Sequence, residues 1–178
     1  MLFYGNRCRK DLPVPVIDMH AHIYPGKIAQ RATESVGLFY DIPMSAHEGS
    51  VACLMDLCAD SDISHSVVCS VAVKPQTVAP INDFIAQSCS ALPRLRGLAA
   101  MHQDFEDPQT ELNRASGLGL LGVKLHPDTQ RVDMDDPRLM HVYEICERMG
   151  LALLVHCGDY RYDYSHPSRM KRILHEFP

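Results

Sequence analysis

At 178 residues, 46% of them hydrophobic and 22% charged, the chain has the size and composition of one globular domain, residues 1–178. A formal net charge of −5 speaks against nucleic acid or an anionic membrane surface as partner, and no apolar run approaches the ~18 residues of a membrane span. Met1–Lys10 carries Arg7, Arg9 and Lys10 but no apolar core, so no signal peptide is expected, and seven cysteines without a C-x-x-C pair suit a reducing cytosol rather than a disulfide framework.

Short apolar runs alternate with helical patterns. Val16–His22 reads as a strand, followed by a long connection, the helix Ser50–Ala59 and the β-branched strand His65–Val73. The helix Ala79–Ala91 leads to a weaker strand, Leu95–Met101. Then come the helix Pro108–Ser116, the strand Leu120–His126, the helix Pro137–Met149, the strand Leu151–Cys157 and a fifth helix, Pro167–Phe177. Asp107-Pro108 and Asp136-Pro137 each set an N-cap aspartate before a proline at the first helical position, and Gly150 suits a helix C-terminus. This alternation predicts an α/β domain with a parallel sheet covered on both faces. After the first connection each βα unit takes roughly 25–30 residues, the spacing of a (β/α)8 TIM barrel. Five units are present, so the expectation is an incomplete barrel or an open five-stranded sheet. The methionines at 44, 55, 101, 134, 140 and 149 read as core filler, and Arg169, Lys171 and Arg172 as a solvated helix face.

Residues two apart on a strand share a face, so His20 and His22 point the same way, their Cβ atoms about 7 Å apart. Two imidazoles at the end of an apolar strand are costly unless paired, and a divalent metal pairs them well; two hydrogen-bonded structural histidines are the alternative. His102, His126 and His156 end further strands, on the edge where parallel α/β folds build their sites. His156 reads as a ligand, His126 as substrate contact, ligand or packing, and His102 as a spectator or a substrate contact. Lys124 shares a face with His126, where it could neutralise a carboxylate, bridge metals as a carbamate, or pair with Asp18 or Asp128. After His156, Tyr160, Arg161 and Tyr162 offer a carboxylate fork among hydrogen-bonding aromatics, or a packed surface loop.

Ile17–His22, Gly122–Pro127 and Val155–Gly158 together resemble the amidohydrolase superfamily, and within it the amidohydrolase-related branch that includes aminocarboxymuconate semialdehyde decarboxylase. The resemblance spans almost the whole chain, in order and spacing. It implies a (β/α)8 barrel with a divalent metal, zinc foremost, at the C-terminal mouth, held by His20, His22 and His156. The family's strand-6 histidine and strand-8 aspartate have no match here, which suggests a piece of a longer reading frame. Lys124 lies on the strand that carries a carbamylated lysine in binuclear members.

The resulting expectation is a cytoplasmic metal-dependent hydrolase acting on a small carboxylated amide, ester or lactone, with His126 and Lys124 stabilising the oxyanion formed by attack of activated water. Arg161, Tyr160, Tyr162 and His102 would hold the substrate. A decarboxylase of the same branch is the alternative. An inert incomplete barrel, prone to homo-oligomerise through unpaired edges, is the reading from another class. A TatD-like metal nuclease also opens with H-x-H but expects a glutamate where Lys124 and His126 stand.

Overall fold

A computed structural model describes residues 15–44 and 48–177; the reading of Met1–Lys10 falls outside them. The strands are β1 (Val16–His22), β2 (Ile63–Cys69), β3 (Leu95–Gly97), β4 (Ala99–Ala100), β5 (Gly122–Leu125) and β6 (Ala152–Val155). The helices are α1 (Gly26–Tyr40), α2 (Val51–Ala59), α3 (Val78–Ala91), α4 (Pro108–Gly117), α5 (Pro127–Gln130), α6 (Pro137–Met149) and α7 (Met170–Glu176). All strand pairs are parallel, in the orders β1-β2-β3 and β4-β5-β6.

β3 and β4 are one pass of chain that changes partners at Leu98. The Leu98 amide still donates to Val68 at 2.9 Å, whereas Ala99 and Ala100 pair with Val123 and Lys124. Gly97 allows the switch: a Cβ there would run into Leu120 and Ile85. The Leu121 amide closes the gap by donating to Gly97 at 2.9 Å. The sheet therefore makes five parallel passes.

Helix boundaries follow local chemistry. The Asp107 carboxylate accepts from the Thr110 amide at 3.0 Å, that of Asp136 from the Arg138 amide at 2.9 Å, and Gly150 closes α6 at φ 66°. Three expectations need correction. β2 stops at Cys69 rather than Val73, because β1 beside it ends at His22; the Ser70 hydroxyl already bonds the Ile23 carbonyl instead of continuing a ladder. Met44 is largely exposed, unlike the buried Met101, Met134 and Met140. Arg169 is not simply solvated: it ties Asp135 at 2.8 Å, with Asp133 and Asp163 each at 3.1 Å.

The core lies between β2–β5 and helices α3, α4 and α6, with Val68, Ile85, Leu95, Leu112, Val123 and Ile145 buried. Burial on both faces holds for β4 and β5. β1 and β6 are the two outer strands, and Ile17 and Met19 of β1 are 50% and 64% exposed. Among the described residues no helix is long and apolar enough to cross a membrane.

Candidate metal centre

Because every pass is parallel, the C-terminal ends share one rim. β1 delivers His20 and His22 there, β2 delivers Cys69, β5 leads into His126 and Asp128, and β6 into His156. His22 and Cys69 are register partners at the ends of adjacent strands.

The donors form two groups. In the first, His20, His22 and Cys69 bring one ligand atom each within 4.8 Å of the others. The two Nε2 atoms lie 3.0 Å apart. Two metal–nitrogen bonds of ~2.0–2.1 Å meeting at about 90–109° separate their nitrogens by roughly 2.9–3.4 Å, so this pair fits a shared divalent ion. The second group is His126, Asp128 and His156. Here the imidazoles stack with centroids 4.0 Å apart and planes 9° off parallel, and the Tyr40 hydroxyl lies 2.7 Å from His126 Nε2 and 3.2 Å from His156 Nε2. Asp128 is fully buried, with neither oxygen hydrogen-bonded; Oδ2 is 3.9 Å from His156 Nε2.

Burial drives the electrostatics. It holds His22 down at about 4 and His126 at about 3, with neighbouring cationic groups, Lys124 among them, pushing the same way. His20 and His156 are also lowered, chiefly by burial and then by Lys124. Neutral imidazoles with free lone pairs are what a metal requires. The Cys69 thiol is raised to about 11 by burial.

The three histidines predicted as ligands are thus not gathered at one point: His20 and His22 meet, while His156 stands with His126 and Asp128. Lys124 is buried with its Nζ unpartnered, so the suggested ion pair with Asp18 or Asp128 does not form. Burial lowers its pKa. Arg161 does not hold its fork open. Asp159 takes Nε at 3.0 Å and a terminal nitrogen at 2.7 Å, and the remaining arm bonds the Phe39 carbonyl. Tyr160 is fully solvated, whereas Tyr162 stacks on Phe39 at 5.9 Å. His102 belongs to neither group; its Nδ1 accepts from the Asp104 amide at 3.1 Å.

Three rim residues escaped the sequence reading. Cys69 ends an apolar strand, the placement that singled out the histidines, so position could have flagged it. Asp128 entered only as a partner for Lys124, although it follows His126-Pro127 directly. Tyr40 lies on α1, which has no side-chain cap, and reaches the rim only through tertiary packing.

Comparison with known proteins bears on the same elements. A family model described as amidohydrolase matches residues 17–178. Over 79 residues, 43% of this chain, the sequence is 37% identical to a 2-amino-3-carboxymuconate-6-semialdehyde decarboxylase of Dictyostelium discoideum, of which it covers 22%. Among solved structures, 5-carboxyvanillate decarboxylase of Sphingomonas paucimobilis superposes with a TM-score of 0.62 at 19% identity, over 86% of this chain and 58% of that one. The manganese-bound 5-carboxyvanillate decarboxylase of Novosphingobium aromaticivorans, in complex with 4-hydroxy-3-methoxy-5-nitrobenzoic acid, gives 0.59 at 18%, over 92% and 55%. The apo IDCase of Metarhizium anisopliae gives 0.61 at 17%, over 81% and 50%. The chain spans about half the length of these structures and less of the curated relative. At such identities the likeness speaks for the fold: an incomplete (β/α)8 barrel, of which five βα units are present here.

Proposed function

We infer the function from one premise: this chain belongs to the amidohydrolase family. The reading that follows is a metal-dependent enzyme of small carboxylated substrates, working at the C-terminal rim. The observation that carries it is the 3.0 Å approach of His20 Nε2 to His22 Nε2, on two imidazoles whose pKa values are both lowered. His20 and His22 would hold the ion, with His156 as a third ligand. A divalent ion held there supplies Lewis acidity to a substrate oxygen and to water at neutral pH. Nitrogen donors beside the Cys69 sulfur favour zinc over harder cations.

Around that point, the chain's own groups have distinct work. Lys124 Nζ has no partner of its own and would donate to the substrate carboxylate or to a developing oxyanion. His126 stands beside His156 to pass a proton. Asp128, a carboxylate with both oxygens free, would accept one and return it to the leaving group or to carbon. Tyr160 and Tyr162 would flank the approach, a wall that Arg161 would order through its bonds to Asp159 and the Phe39 carbonyl.

Of the two chemistries, decarboxylation now stands ahead of hydrolysis, which led on sequence grounds. The named relatives are a carboxymuconate semialdehyde decarboxylase and carboxyvanillate decarboxylases. The test has two arms. Metal analysis after zinc or manganese loading should find an ion that His22→Ala loses. Loaded protein should then release CO2 from carboxylated aromatic or muconate-type acids faster than it opens carboxylated lactones or esters. Loss of neither ion nor CO2 release in His22→Ala would sink the site. The exposed β1 and β6 favour a second reading, a metal-binding but inert half-barrel that self-associates; bound metal without turnover of any such acid would select it. The free thiols of Cys53, Cys58, Cys69, Cys89, Cys146 and Cys157 accord with a reducing compartment such as the cytoplasm.

A further inference from the structure

We propose that Tyr40 is the positioning residue that decides which donor group His156 joins, withholding it from His20 and His22 until its hydroxyl is moved. The inference rests on the metal reading above and deepens it. It begins with hydrogen-bond polarity. The Thr129 amide donates to His126 Nδ1 at 3.5 Å, so that nitrogen carries a lone pair. With Nδ1 accepting, the ring proton sits on Nε2, which donates to the Tyr40 oxygen 2.7 Å away. The phenolic proton is left to point at His156 Nε2, 3.2 Å distant. Tyr40 thereby occupies the lone pair with which His156 would bind an ion.

The rest of the arrangement keeps it there. Parallel imidazoles 4.0 Å apart project their lone pairs side by side, so the stack of His126 and His156 is a poor chelate as it stands. The end of α1 that carries Tyr40 is gripped from the far side. Arg161 bonds the Phe39 carbonyl, lies 4.7 Å over the Phe39 ring and 5.4 Å from that of Tyr40, and is itself fixed by Asp159. Both His156 and Arg161 lie on the segment that follows β6. One loop therefore supplies the third ligand and the clasp that holds its blocker in place. This accounts for the division of the predicted ligand set into two groups.

The experiment is Co(II) titration of the metal-free full chain, followed by visible absorption, on wild type, Tyr40→Phe, His156→Ala and the double variant. Tyr40→Phe keeps the ring and removes the hydroxyl, and should bind about tenfold more tightly, the worth of one or two hydrogen bonds. His156→Ala should weaken binding far less in wild type than in the Tyr40→Phe background, where it should abolish the gain, a coupling that a merely structural tyrosine would not produce. Arg161→Met, which frees the Phe39 carbonyl, should shift affinity in the same direction and guards against a poorly folded Tyr40 variant. Equal affinities for wild type and Tyr40→Phe, with His156→Ala weakening both alike, overturn the proposal and leave the metal site standing. Absence of Co(II) binding in every variant overturns the metal reading and this proposal with it.

Discussion

Lys124 and the four histidines around it share one electrostatic problem, a concentration of basic nitrogen at a largely buried rim. The fold meets it by lowering the pKa of each imidazole. That choice has a thermodynamic consequence with a definite sign. In an open chain a histidine takes up its proton near 6.5, whereas in the fold His22 waits until about 4 and His126 until about 3. Below 6.5 the unfolded chain therefore binds protons that the folded chain refuses, and stability drains away with falling pH. Metal-free protein should show its full urea midpoint above pH 6.5 and a declining one through the interval down to 3–4. His126→Gln should flatten the decline, and an acid-insensitive midpoint in the parent would contradict the burial argument. The same residues show what sequence can and cannot disclose. His20, His22, Lys124 and His126 were legible because strand periodicity fixes which side chains share a face. The true partners of Arg161 were not: a guanidinium in an aromatic loop looks open until the fold brings in the Phe39 carbonyl from a helix far away in sequence.

At the level of elements, legibility tracked local signals. α6 was readable to its last residue because Asp136, Pro137 and Gly150 mark both ends; α1, with Pro25 at its start and no capping side chain, was missed. The break at Leu98 was invisible for another reason. Which strand a residue pairs with is decided by curvature of the whole sheet, and Gly97 only permits it. Gly122 plays a comparable part on β5, where a Cβ would run into the Ala152 carbonyl of β6. Gly122→Ala should cost roughly 1–3 kcal/mol, the usual penalty for overpacking. Gly117, at the end of α4, has open space around it. Gly117→Ala should therefore be neutral or stabilising by up to about 1 kcal/mol. Urea unfolding of the two variants separates them, and an equal effect would mean that strand contact is not what requires the glycine at 122.

At the scale of all the described residues, the main liability lies in the two outer strands. Barrel closure would place a neighbour beside β1 and another beside β6, and among the described residues neither has one. Val16, Ile17 and Met19 are consequently 46%, 50% and 64% exposed on a strand whose backbone can still pair. Such an edge is a template for another chain. The five passes and their parallel sense were legible from the alternation of apolar runs and helices. That the first and last strands would have unpaired edges was legible from the count of five units. That the faces of β1 would be so exposed was not, because its apolar composition is that of a strand covered on both faces. Residues 1–178 taken by themselves should self-associate reversibly, their weight-average mass in sedimentation equilibrium rising with concentration. Ile17→Lys should shift the distribution toward monomer, since a charge on an edge strand opposes pairing. The variant should keep its Co(II) affinity, because residue 17 lies on the first half of β1, away from the rim where His20 and His22 meet. A monomer at every concentration, or an Ile17→Lys variant that associates as readily as the parent, would show that β1 is not the surface through which copies meet.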